Sequence, residues 1–238
     1  MAASVVILTG AGVSADSGLA TFRGAGGLWE GHRVEDVATP HAWMNHPERV
    51  WRFYQMRRAQ LPGVEPNAAH HALAHLQREL TAAGGRCTLV SQNVDDLHQR
   101  AGSTVLAMHG QLNRLRCEEC GEIVQGLEYL DPDHFLPCPA CDHPRLRPDI
   151  VWFGEMPHHT DEIEDAVAGA EHFVSIGTSG AVYPAAAYLA LARNVGATTW
   201  VNSLDEPENL HPADTFLPGR AVDVVPDLVE RWLSLWTR

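Results

Sequence analysis

The stretch Ser4-Val5-Val6-Ile7-Leu8-Thr9-Gly10-Ala11-Gly12-Val13-Ser14-Ala15 decides how the chain is read. Its first half is apolar and β-branched with no polar alternation, which predicts a parallel strand buried on both faces. Gly10 and Gly12 follow at once. A tight turn needs free φ, and close approach of a pyrophosphate to backbone needs a missing Cβ, so glycines at these two places suit a dinucleotide. They suit an ordinary strand-to-helix turn as well. A dehydrogenase would continue with a long helix, a second strand and an acidic ribose ligand, whereas this chain reaches Gly18 and then Thr21-Phe22-Arg23-Gly24, a predicted loop. That departure argues against hydride transfer.

Working outward, Cys87 to Ser91, Thr104 to Met108, His172 to Ile176 and Thr198 to Val201 have the same strand texture, and Ala221 to Val225 reads as a sixth strand. Between them Asn67 to Ala83 repeats Leu73, Leu76 and Leu80 at helical spacing, and Pro184 to Asn194 begins at a proline with Gly196 after it. Strands alternating with helices predict an α/β fold with an open, Rossmann-like parallel sheet. Two regions break the alternation. Cys117 to Cys141 is polar with little core-forming periodicity, as in a small module held by metal. From Thr21 to about Asn67 there is no clear strand, but Pro47 to Leu61 reads as a helix carrying Val50, Trp51, Phe53, Tyr54 and Met56. The expected organisation is one domain, residues 1–238. Its large lobe takes about 1–20, 67–116 and 150–238, and a small helical and zinc-binding lobe takes about 21–66 and 117–149.

The 238 residues include 30 Asp and Glu against 17 Arg, with no Lys, for a net charge of −13. So negative a chain disfavours nucleic acid and anionic membrane as partners. The missing lysine excludes Schiff-base chemistry, a lysine general base and a phosphate loop that needs its lysine. The apolar run Val5 to Leu8 is too short for a signal core, and nothing approaches a membrane span, so a cytoplasmic protein is expected.

Four positions carry chemistry. Ser91-Gln92-Asn93-Val94-Asp95-Asp96-Leu97-His98 follows a strand, where open sheets place ligands; Asn93 or Asp95 could equally cap the next helix. His109, between Met108 and Gly110, stands at another strand end, where a neutral imidazole could take a proton from a sugar hydroxyl; a structural histidine is the alternative. Cys117, Cys120, Cys138 and Cys141 form two Cys-x-x-Cys pairs, which read as a closed, structural zinc site, leaving Cys87 over. Tyr54 and Arg57, three apart on a predicted helix, could hold a carboxylate together, or belong to a solvated face with Arg52 and Arg58.

In order along nearly the whole chain, Gly10 to Gly18, Thr21 to Gly24, Gln92 to Asp95, His109-Gly110, the cysteine pairs, Arg147-Pro-Asp-Ile-Val-Trp-Phe-Gly-Glu155 and Gly177-Thr-Ser179 resemble the sirtuins. The resemblance implies an NAD-dependent protein lysine deacylase with a structural zinc, acting on acyl-lysine proteins and releasing nicotinamide and 2′-O-acyl-ADP-ribose. It implies that Gly10, Ala11, Gly12, Ser14 and Ala15 hold the pyrophosphate region, with Thr21, Phe22 and Arg23 on a cofactor loop. Asn93 and Asp95 would surround the nicotinamide amide, Gln92 would bond its ribose, and His109 would be the general base, with Asn93 also counted as catalytic. Gly177, Thr178, Ser179, Asn202 and Ala221 would meet the adenosine end, and Phe153, Gly154 and Glu155 the substrate backbone. Tyr54 and Arg57 match the pair of sirtuins that prefer acidic acyl groups, which implies removal of succinyl and malonyl with acetyl poorer. The competing expectations are a protein mono-ADP-ribosyltransferase on the same NAD site and a zinc-bearing binding module on an inactive scaffold.

Overall fold

The computed structural model describes residues 3–20, 28–29 and 31–236. The elements begin with β1 (Ser4–Thr9), the short β2 (Leu28–Trp29) and β3 (His32–Arg33), then helices α1 (Val34–Val37), α2 (Pro40–Asn45), α3 (Pro47–Gln60) and α4 (Ala68–Ala82). Next come β4 (Arg86–Ser91), α5 (Leu97–Arg100), β5 (Val105–Ala107), β6 (Gly110–Cys117), β7 (Ile123–Gln125) and β8 (Leu146–Ile150). The chain continues through α6 (Thr160–Ala168), β9 (His172–Ile176), α7 (Ala185–Asn194), β10 (Thr198–Ser203), β11 (Thr215–Pro218) and α8 (Ala221–Trp236).

Six parallel strands form the main sheet in the order β11-β10-β9-β1-β4-β5. Alternating side chains of β1 explain its unbroken apolar sequence. Val5 and Ile7 join one cluster with Leu73, Leu76 and Leu80 of α4 and Val225, Val229 and Trp232 of α8. Val6 and Leu8 join another with Ile163 and Val167 of α6 and Tyr188, Leu189 and Ala192 of α7. Both faces are covered, so no polar alternation is possible.

One expected strand is a helix. Ala221 to Val225 opens α8, and the sixth strand is Thr215–Pro218 instead. The run Ala-Val-Asp-Val-Val is β-branched, but its buried members continue as Ala221, Val225, Leu228, Val229, Trp232 and Trp236, a helical stripe that packs on α4. Tertiary burial decided against local propensity. The segment before Asn67 does contain strands, two residues each in β2 and β3, paired antiparallel.

The cysteine-bearing segment is less bare of core than its sequence suggests. β6 pairs antiparallel with β7 and β8, and a third apolar cluster unites α1, α2 and α3 with Leu112, Leu115, Cys117, Cys138, Leu146, Ile150 and Trp152. Phe135 sits edge-on to Trp43 at 5.9 Å and tilted against Trp51 at 5.5 Å. Arg58 belongs to no solvated face: it is fully buried, and its guanidinium donates to the carbonyls of Leu112, Arg114 and Gly126. It ties α3 to β6 and to the turn after β7. Burial pulls its pKa down to about 10, leaving it charged at neutral pH.

Candidate active site

Parallel register brings the strand ends together. Thr9 pairs with Ser91 on one side and Ile176 on the other, Ile176 with Asn202, and Ser91 with Ala107. The loops after β1, β4, β5, β9 and β10 therefore leave the sheet at one edge. The chain fills one half of the sheet from β1 outward through β4 and β5, then the other through β9, β10 and β11, so its order reverses between β1 and β9, where open sheets hold ligands.

At that reversal the two loops touch backbone to backbone. The Gly10 amide donates to the Ile176 carbonyl and the Gly12 amide to that of Gly177, both at 2.9 Å. A Cβ on Gly12 would stand 2.7 Å from the Gly177 Cα, and one on Gly10 2.8 Å from the Gly177 oxygen. Gly177 has φ of +63°, a conformation that itself favours glycine. The glycines are thus demanded by this contact within the protein, independently of any ligand. Both amides are spent on it.

A buried polar network lies behind the loop. His70 Nδ1 accepts from the Asn67 amide in a capping box, so its proton sits on Nε2, 3.3 Å from the Ser14 hydroxyl. Ser14 donates to Asp95 Oδ2 at 3.0 Å and accepts from Asn93 Nδ2 at 3.1 Å. Asn93 Nδ2 also donates to the Gly10 carbonyl. Asp95 Oδ1 accepts from the Leu97 amide, so this residue, one before the Asp96 N-cap, both steadies the entry to α5 and holds Ser14. Burial pushes the Asp95 carboxyl up, while the bonds from Leu97 and Ser14 pull against that. His98 stacks edge-on to His70 at 4.7 Å and bonds Thr9 Oγ1 through Nε2. Burial depresses both rings, His70 to about 4 and His98 to about 3, so both are neutral.

His109 immediately precedes β6. Its Nδ1 lies 2.8 Å from the Gln92 carbonyl, which can only accept, so Nδ1 carries the proton and Nε2 keeps its lone pair. Burial lowers its pKa, opposed by that bond and assisted by His158. The ring is therefore a neutral base at physiological pH.

The opposite wall comes from α3 and from the loop after β8. Tyr54 and Arg57 are both buried, one turn apart, and Arg57 lies 5.9 Å over the Phe53 ring. Burial holds the Tyr54 phenol well above its usual pKa, so it is un-ionised. Glu155 is spent inside the protein: Arg147 binds it through two bonds at 2.7 and 2.9 Å, and the Trp152 amide donates to it at 2.8 Å. Burial raises that carboxyl, but those bonds outweigh it and leave it below the usual range. The Phe153 amide donates to Ala38 and that of Glu155 to Trp152.

One cavity of about 730 Å³ joins the two walls. Gly10, Ala11, Gly12, Ser14, Ala15, Gln92, Asn93, Asp95 and His109 line it from the sheet side, and Tyr54, Arg57, Phe153, Gly154 and Glu155 from the other. Gly177, Thr178, Ser179, Asn202 and Ala221 line it as well. Thr21, Phe22 and Arg23 lie outside the described residues. Asn202 Nδ2 donates to Leu217 and Gly219, whereas its buried Oδ1 has no hydrogen-bond partner among the described residues. An acceptor left over at the cavity wall suits a ligand bearing hydroxyl or amino donors, as a dinucleotide does. Sequence reasoning assigned no role of their own to His70, His98, Arg147 and Trp152, although His98 and the Arg147 to Glu155 run lay inside stretches it singled out; His70 stood three residues after the helix-capping Asn67.

The four cysteine sulfurs lie within 4.8 Å of one another. Tetrahedral ligands on Zn–S bonds of about 2.3 Å stand about 3.8 Å apart. The 3.6 Å separations of Cys117 from Cys141 and of Cys120 from Cys138 fit one closed, structural zinc.

The pattern of the Sir2 family matches residues 10–184. A protein of Bdellovibrio bacteriovorus named NAD-dependent protein deacylase is 54% identical over 235 residues, with 97% of each chain covered. An Escherichia coli protein of the same name is 48% identical over 234 residues, covering 97% of this chain and 82% of its own. Among solved structures, a Sir2 homolog–NAD complex is 38% identical with a TM-score of 0.87, over 98% of this chain and 90% of its own. Sir2Af2 bound to a myristoylated histone peptide is 29% identical with a TM-score of 0.74, over 97% and 91%.

Proposed function

The chain belongs to the Sir2 family and is an NAD-dependent protein deacylase; from that premise we propose that it prefers acyl groups ending in a carboxylate, succinyl and malonyl, over acetyl. The observation that carries this reading is the placement of Tyr54 and Arg57 on one face of α3, buried and lining the same cavity as His109. A guanidinium can grip a carboxylate through two parallel bonds and an un-ionised phenol adds a third donor, whereas an acetyl group offers neither partner.

The site residues take roles on the same reading. Gly10, Ala11, Gly12, Ser14 and Ala15 adjoin the pyrophosphate, and Gly177, Thr178, Ser179, Asn202 and Ala221 the adenosine end. With the Gly10 and Gly12 amides already engaged, those glycines serve by holding the loop shape. Asn93 Nδ2 is committed to Gly10 and Ser14, which leaves Oδ1 to meet the nicotinamide side, next to Asp95 and Gln92. Bound NAD supplies a sugar carbon that accepts the acyl oxygen as nicotinamide departs. His109 Nε2 takes the proton from a ribose hydroxyl, with Nδ1 anchored on Gln92 so that the lone pair keeps its direction. The substrate is an acyl-lysine protein, whose backbone would meet Gly154, since the neighbouring amides of Phe153 and Glu155 are engaged. The two-lobe division belongs to this reading too, with one change of bounds: β6, expected in the large lobe, joins β8 in the small lobe because Leu112 and Leu115 share its apolar cluster. No helix among the described residues is long and apolar enough to cross a membrane.

Acetyl-, malonyl-, succinyl- and glutaryl-lysine peptides assayed with NAD test the reading. Succinyl kcat/KM is expected to exceed acetyl by about tenfold or more, and Arg57→Met to cut the succinyl value by about 10²-fold, the worth of lost charge-assisted bonds. Equal rates on acetyl and succinyl, or a succinyl preference kept in Arg57→Met, would overturn it. Mass spectrometry separates acyl-ADP-ribose from ADP-ribosylated protein.

A further inference from the structure

Trp152 is held in place from several directions. Its amide donates to Glu155 at 2.8 Å, the Arg147 guanidinium lies 3.5 Å from its ring centroid, and Trp43 packs against it at 5.8 Å. Arg147 is in turn fixed by its two bonds to Glu155 and a third to the Ile150 carbonyl at 2.9 Å. The side chain so pinned points its indole nitrogen at the Tyr54 oxygen, 3.0 Å away. An indole nitrogen has a proton and no acceptor lone pair, so Trp152 donates and Tyr54 accepts. A phenol that accepts along one direction has its own O–H rotation confined, and becomes a better donor through that acceptance.

Resting on the acidic-acyl reading above, we propose that Trp152 is a positioning residue for acyl selectivity, whose indole N–H orients the Tyr54 hydroxyl as a donor toward the carboxylate of a succinyl-type group. Arg147 and Glu155 act one step further back by fixing the indole. An acetyl group has no carboxylate to receive the bond and is insensitive to its direction. The role is specific to the indole nitrogen, not to the bulk of the ring.

The test compares wild type, Trp152→Phe, Tyr54→Phe and the double variant on acetyl- and succinyl-lysine peptides with NAD. Trp152→Phe is expected to lower succinyl kcat/KM by about tenfold, chiefly through KM, and acetyl by no more than about threefold. The double variant should be no worse on succinyl than Tyr54→Phe alone, because both act through one hydroxyl. In ¹⁵N-labelled wild type, the Trp152 indole signal, one of seven tryptophans, should move when a succinyl-lysine peptide binds and stay when an acetyl-lysine peptide does. Equal losses on both acyl groups, additive losses in the double variant, or the same indole shift with both peptides would overturn the proposal. Wild-type rates alone decide the underlying preference; its absence would remove that reading and this one with it, a failure distinct from an intact preference that Trp152→Phe leaves untouched. Should Trp152→Phe not fold, the indole shifts in wild type and Tyr54→Phe decide.

Discussion

On the sheet side of the cleft, cavity-lining groups hang from strand ends whose positions follow from backbone register across β4, β1 and β9. On the helical side they hang from α3 and the loop after β8, placed by a buried arginine on carbonyls, an Arg147–Glu155 pair, packed aromatic rings and a cluster of thiols. The first wall is secured by main chain and apolar burial on both sheet faces, the second by side chains and a metal. The contrast matches the division of labour proposed above. Chemistry common to every acyl group sits on the wall whose side chains, His109 among them, are set by strand register, and selectivity between acyl groups on the wall whose side chains are set by one another.

Metal removal bears hardest on the contrast. Four thiolates without their ion lose a stabilisation on the order of 10 kcal/mol. Chelation should strip hydrogen-exchange protection from β6, β7 and the thiol loops and stop turnover, while amides of β1 and β9 stay protected. Simultaneous loss of protection in both walls would mean they do not fold separately. Next in size, His109→Ala should lower turnover by about 10³-fold on every acyl peptide alike, the usual worth of a general base, without changing the melting temperature. A loss confined to succinyl peptides would put His109 on the selectivity wall. The smallest effect is on acid stability. His70 and His98 have pKa values of about 4 and 3 when folded, against about 6.5 unfolded. Depressed values mean the unfolded chain binds these protons first. Stability is therefore whole above about pH 6.5 and falls by about 1.4 kcal/mol per pH unit for each ring until its folded value is passed. Urea titrations of wild type and His98→Gln at pH 7 and 5 measure it; the same slope in both would remove His98 from the account.

The sheet wall was the more legible in sequence. Val5 to Leu8 announces a strand buried on both faces, and Gly10, Asn93, His109 and Gly177 each stand next to a strand that can be recognised. The helical wall was read where spacing speaks, at the cysteine pairs and at Tyr54 with Arg57, and through the family resemblance at Phe153 to Glu155. Arg58, Arg147 and Trp152 gave no periodic signal, because what fixes each is a partner distant in the chain or a ring stacked out of register, and hydrophobic patterning is blind to both. The misread Ala221 to Val225 failed for a related reason: five residues cannot reveal that the stripe continues to Trp236 and is buried on α4.

The direct contact of Gly10 and Gly12 with Ile176 and Gly177 has a mechanical consequence. With no side chain interposed, the two loops cannot slide apart without breaking main-chain bonds, so they form a rigid anvil. Whatever widening admits a bulky protein segment, and whatever narrowing follows, must then be travelled by the opposite jaw.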